Sequence, residues 1–163
     1  MAIVAAMAVP HPPIILPEIG RGEEKKIAKT AAAYREVMRR AAELEPDTVV
    51  ITSPHATMYS DYFHISPGKQ ARGDFSAFRC PEVEIEAEYD VAFAKALADA
   101  CAEEDLPAGF LGEREPALDH GTMIPLYFLQ PALKKPVKVV RIGLSGLSAD
   151  VHYRLGRLIQ DTA

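Results

Sequence analysis

Little in this sequence points away from an ordinary soluble protein. Cysteine is scarce: Cys80 and Cys101 are the only two in 163 residues. They have neither metal-ligand spacing nor the density of a disulfide scaffold, so a reducing, cytoplasmic setting is expected. Long apolar runs are missing too, and nothing approaches the roughly 20 residues of a membrane helix. Basic residues are not in excess: 18 Lys and Arg stand against 23 Asp and Glu, for a net charge of −5. They are also dispersed, which argues against a nucleic-acid partner. No glycine-rich phosphate loop follows a strand, since "GRGEE" has none before it, and no serine sits in a nucleophile elbow. Repeats, low-complexity tracts and domain linkers are likewise lacking.

What is present suffices for one domain with a real core: 48% of residues are hydrophobic and 25% charged. The apolar start "MAIVAAMAV" lacks a basic n-region, and Pro-His-Pro-Pro follows where a cleavage site would stand. It therefore reads as a buried strand over 2–9. Residues 22–44 read as a helix with Ile27, Ala31, Tyr34, Val37 or Met38, and Ala41 on one face. "DTVVITS" (47–53) reads as a second buried strand. The spacing of strand, helix and strand suits a parallel βαβ unit.

Residues 61–66 suggest a short strand, and 67–81 a loop. "EVEIEAEY" alternates strictly, with Val83, Ile85 and Ala87 on one side and Glu82, Glu84, Glu86 and Glu88 on the other. That pattern predicts a strand with one wet face, and a solvated surface is preferred over a cation site for the four carboxylates. A helix is expected over 90–104 with Val91, Ala94, Leu97, Ala98 and Cys101 inward. Strands are expected at 108–112 and 137–144, and a last helix over 149–162 behind Ser148. The fold class is α/β, with a mainly parallel central sheet and flanking helices.

Two histidines stand in matching places. His11 in "AVPHPPIILPEIG" and His55 in "VVITSPHATMYSDY" each follow an apolar strand-like run and a proline. Proline fixes φ, so both turns are stiff. At neighbouring strand tips the two imidazoles would converge on the crevice where ligands collect in open parallel sheets. Such a pair suits Fe, Zn or Cu, with a carboxylate completing the set. Each could equally be a hydrogen-bonded loop histidine. In "EPALDHGTMIPLYFL", His120 is placed at a helix N-terminus, with Asp119 or a backbone carbonyl available to hold one ring nitrogen. The alternative there is a plain capping turn. His64 reads as a satisfied strand histidine and His152 as a surface residue. Asp61, Glu18 and Glu115 are the carboxylates near these segments, and none is singled out by spacing.

Four segments carry a resemblance: "VPHPPIILPEIGRG", "VVITSPHATMYSDYFHIS", "LGEREPALDHGTMIPLYFL" and "VVRIGLSGLSADVHYRLGRLI". In this order they resemble the class III extradiol ring-cleavage dioxygenases of the LigB-like type. Within that family they are similar to the Memo-like branch of the AmmeMemoRadiSam system. The resemblance implies that residues 1–163 are the N-terminal portion of a single LigB-like domain. It implies Fe(II), with Zn or Cu as alternatives, held by His11 and His55, and His120 as the active-site acid/base. It also implies a catechol-type substrate and O₂. The family's third ligand, a glutamate, and a second catalytic histidine would fall beyond residue 163, so weak or no turnover is expected from this chain alone. The alternative implied by the Memo-like branch is a non-catalytic metal- or ligand-binding protein, working with a radical-SAM partner or a C-terminal AMME-region domain. A sheet edge left open would need cover, so self-association as a homo-oligomer is expected.

Overall fold

A computed structural model describes residues 2–163. Helix α1 (Pro17–Gly20) is a single turn, and α2 (Ala28–Glu43) is the first long helix. Strands β1 (Thr48–Ser53), β2 (Phe63–His64), β3 (Gln70–Phe75) and β4 (Cys80–Glu88) follow. Then come α3 (Val91–Glu103), β5 (Ala108–Gly109), α4 (His120–Leu129), β6 (Lys138–Gly143) and α5 (Ala149–Thr162).

The fold class is α/β. Strands β1 and β6 pair in parallel from Thr48↔Lys138 to Ser53↔Gly143, β2 pairs in parallel with β5, and β3 and β4 form an antiparallel ladder. Single bridges tie the last two ladders to β6: Ile65 meets Ile142 and Tyr89 meets Val139. The expected central sheet is thus three two-stranded ladders joined through β6, two of them parallel.

Strand β6 divides the interior, because successive side chains of a strand point to opposite faces. Val139 packs with Tyr34, Met38, Phe75, Ile124 and Leu126 on the side of α2 and α4. Val140 and Ile142 pack with Phe63, Leu97, Cys101 and Leu155 on the side of α3 and α5. In α2, Ala31, Tyr34, Met38 and Ala42 are buried at helical spacing. Its expected first turns are instead a tight 3₁₀ segment, Glu23–Ile27, entered through Gly22 at φ 105°. Strand β4 alternates as expected: Ile85 and Ala87 are buried, and Glu82, Glu84, Glu86 and Glu88 face solvent. In α3, Ala94, Leu97 and Cys101 are buried, but Val91 sits in the first turn and is exposed.

Two expectations are corrected. Residues 2–9 form no strand. Ile3, Val4 and Met7 are 47%, 62% and 42% exposed, and the parallel partner of β1 is β6. An extended run becomes a strand only where a neighbour takes up its backbone N–H and C=O groups, and no described residue does so here. The supposed loop 67–81 contains β3. Its sequence "QARGDF" is polar because only alternate residues turn inward, and β4 supplies the pairing that fixes it. Among the described residues no helix is long and apolar enough to cross a membrane.

Candidate metal centre

Three segments distant in sequence bring one histidine each to a common point. His11 precedes Pro12 and Pro13, and the 3₁₀ turn Pro13–Ile15 that follows is anchored by Ile15 and Leu16, both 0% exposed. Ile15 N–H donates to Pro12 O at 3.0 Å, which closes the turn directly behind His11. His55 leaves the end of β1 in a turn where its backbone N–H donates to Ser53 Oγ at 3.1 Å. His120 is the first residue of α4, whose N-cap is Asp119.

One ligating nitrogen from each of these rings lies within 4.8 Å of the other two. His11 Nε2 and His55 Nε2 are 3.0 Å apart, so with both rings neutral one donates to the other. The His55 and His120 rings lie at 3.9 Å between centroids, and the edge of Phe78 meets His120 at 5.1 Å. His11 and His120 are half-buried and His55 is exposed, so the cluster opens to solvent on one side. Burial, followed by the positive charge His55 would carry, lowers the pKa of His120; Asp119 opposes this and His11 adds to it. His120 therefore favours its neutral ring, with one nitrogen lone pair free.

These donors fit a divalent transition-metal ion. Imidazole nitrogen suits Fe, Zn and Cu. Metal–nitrogen bonds of about 2.1 Å put two ligands at right angles about 3.0 Å apart, which is the spacing of the His11 and His55 nitrogens. Among the described residues no carboxylate joins the cluster. Glu18 accepts from Tyr127 instead, and Asp61 and Glu115 bring no carboxylate oxygen to it.

Asp119, one of the two groups expected to be available to the His120 ring, is committed elsewhere. Its Oδ1 accepts from Ser53 Oγ at 2.5 Å and Thr122 N–H at 3.1 Å. Its Oδ2 accepts from Thr122 Oγ1 at 2.8 Å and pairs with Arg141 Nη2 at 3.2 Å. Burial would raise the Asp119 pKa, but the Ser53 and Thr122 hydrogen bonds and the Arg141 charge outweigh it and hold the carboxyl below its ordinary value. A carboxylate has about four lone-pair sites, and all are occupied, which leaves none for the imidazole.

Sequence reasoning missed Arg141, Ser53 and Phe78. The signal for Arg141 was available: a lone guanidinium inside the apolar strand "VKVVRIGL" must find a buried partner. His64 is buried, as expected, with Nδ1 at 3.1 Å from Leu111 O and Nε2 at 3.2 Å from Glu113. His152 is half-buried rather than a plain surface residue, because its ring stands edge-on to Phe63 at 4.7 Å. A concavity of about 1280 Å³ runs along the β3–β4 hairpin past Arg72, Asp74, Glu84, Glu86 and Lys138. It contains none of the three histidines, and its exposed charges of both signs make it a surface trough.

The chain is 34% identical over 165 residues to Protein CA_C1420 of Clostridium acetobutylicum, covering 96% of this chain and 35% of that protein. It thus spans about a third of the relative's length. A family model described as the catalytic LigB subunit of aromatic ring-opening dioxygenase matches residues 5–163. With nearly the whole chain covered by that match, the protein belongs to the LigB family of aromatic ring-opening dioxygenase catalytic subunits.

Proposed function

We propose that this chain carries the histidine part of a non-haem Fe(II) centre for extradiol cleavage of a catechol-type ring, with His11 and His55 as metal ligands and His120 as the acid/base. One observation carries the reading: within a LigB-family chain, three imidazoles from separate segments place their nitrogens within 4.8 Å of one another. A ferrous ion bound there supplies the redox chemistry that joins O₂ to an aromatic diol.

The protein residues supply binding and proton handling. His11 and His55 bring their Nε2 atoms to 3.0 Å of each other, and a bound ion would take the place of the hydrogen bond between them. His120, whose pKa is lowered, is neutral at physiological pH, so its ring nitrogen can accept a phenolic proton and return it later in the cycle. Phe78 covers one side of that ring and restricts water there. The exposed flank at His55 leaves room for a substrate to approach.

The test is anaerobic titration with Fe(II), followed by oxygen uptake and ring-fission absorbance with a panel of catechols. The wild-type chain is expected to bind one ion, and His11→Ala and His55→Ala to lose it. His120→Ala is expected to keep the ion and lose whatever turnover the wild type has. Iron binding indifferent to both ligand substitutions would overturn the reading. Iron held through His11 and His55 without oxygen uptake by any form of the protein would assign it instead as a metal-binding protein of the Memo-like kind.

A further inference from the structure

We propose that Ser53, Asp119, Thr122 and Arg141 form a buried clamp that sets the position of His55 relative to His120, which makes them positioning residues for the centre described above. The inference rests on that reading of the three histidines, and it goes further by assigning a role to four residues that do not touch the ion site.

The clamp joins two sequence motifs. Ser53 of Ser-Pro-His uses its hydroxyl twice: it donates to Asp119 Oδ1 at 2.5 Å and accepts the His55 backbone N–H at 3.1 Å. Asp119 of Asp-His-Gly-Thr caps α4 through Thr122 and so fixes the helix end on which His120 rides. Arg141, projecting from β6, closes the back: Nη2 meets Asp119 Oδ2 at 3.2 Å and Nη1 donates to Glu115 O at 3.2 Å. Ser53, Thr122 and Arg141 are 1%, 0% and 2% exposed. Arg141 Nε has no hydrogen-bond partner among the described residues, so Nη1 and Nη2 alone tie the guanidinium down; breaking such a buried pair strands a charge, which holds its geometry.

Gly121 gives independent support. A Cβ there would run into Ser53 Oγ and would meet Asp119 Oδ1 at 3.0 Å and His55 Cδ2 at 3.2 Å. The α4 backbone thus lies directly on the turn that carries His55. The two histidine motifs form one interlocked unit rather than two neighbouring loops. Asp119 acts through Ser53 and the helix end, since its oxygens have no capacity left for the His120 ring.

The experiment uses the 163-residue chain with Co(II) as a spectroscopic probe. Ser53→Ala, Ser53→Thr, Asp119→Asn and the Ser53→Ala/Asp119→Asn double variant are compared, with thermal unfolding as the check on folding. Ser53→Ala and Asp119→Asn should each weaken Co(II) binding by about ten- to a hundredfold and change its visible absorption bands. The double variant should be no worse than the poorer single one, and Ser53→Thr, which keeps the hydroxyl, should restore wild-type behaviour. In parallel, NMR of the metal-free protein should show the His55 and His120 ring signals moving towards free-imidazole positions in Ser53→Ala, as their stacking loosens. Unchanged ring signals in Ser53→Ala, or unchanged Co(II) affinity and spectrum in both single variants, would overturn the clamp. If the wild type binds no Co(II), the metal reading falls, and the ring signals still decide the clamp.

Discussion

At the scale of single residues, two glycines make opposite predictions from the same substitution. Both lie in helices, where alanine is intrinsically better by about 0.5–1 kcal/mol. Gly156, on the exposed side of α5, has nothing within 4 Å of an added Cβ. Gly156→Ala should therefore stabilise the protein by roughly that amount. Gly121→Ala must instead push Ser53 and His55 away from α4, and overpacking of this kind costs about 1–3 kcal/mol. Urea denaturation of the two variants beside wild type reads both numbers. At this scale the sequence was informative where it was stiff or punctuated. His11 and His55 stood out beside prolines, and His120 beside Asp119 and Gly121. Ser53 gave no such sign, because a serine before Pro-His can serve any turn. Its hydroxyl donates to a carboxylate 66 positions away. Arg141 was readable in principle, since an arginine inside an apolar strand needs a counter-charge, but the identity of that partner is a tertiary fact.

At the scale of elements, Asp90 controls where α3 begins. Its side chain accepts the Phe93 N–H at 3.0 Å and also a hydrogen bond from Thr48 of β1. Burial works to raise its pKa, but the hydrogen bonds from Thr48 and Phe93 and the Lys138 charge prevail and hold the carboxyl below its ordinary value. Asp90→Ala should cost about 0.5–2 kcal/mol at neutral pH, as lost N-caps do. Because the folded pKa is depressed, the charged cap's contribution is complete above the unfolded value of about 3.9. It fades as pH falls through the folded value. The gap in melting temperature between wild type and variant should be full at neutral pH and narrow below about pH 4.

Elements with a strong internal period were legible from sequence. The alternation in β4 and the three- and four-residue steps in α2 follow from their own side chains. Residues 2–9 and strand β3 were not, for complementary reasons. The first has the apolar content of a strand but no partner among the described residues, and the second has an unpromising sequence but a partner in β4. Pairing is a property of two segments, and one of them cannot declare it alone.

At the scale of the whole molecule, β6 belongs to both apolar clusters, with Val139 on one side and Val140 and Ile142 on the other. The two halves should therefore unfold together. Urea transitions followed by tyrosine fluorescence and by far-UV circular dichroism are expected to coincide. Ile142→Ala, at a position 0% exposed, should shift both by the same amount and cost about 2–5 kcal/mol. Separate transitions would show that the clusters are independent. The α/β class was legible in the order of the apolar segments, but the parallel partner of β1 was not, since it is β6 rather than residues 2–9. The division of the sheet into three ladders was not, because it depends on which strand lies beside which.

The parallel register of β1 with β6, Thr48 opposite Lys138, bears on the order of events during synthesis. A nascent polypeptide displays all three imidazoles once residue 120 has emerged, yet the strand that holds β1 in place, and the guanidinium behind Asp119, arrive about twenty residues later. Until then His55 and His120 hang on an unclosed loop of about ninety residues, from Thr48 to Lys138, whose ends must meet before β1 is held. Assembly of the three-histidine cluster is thus timed to the arrival of β6 rather than to the appearance of the imidazoles themselves.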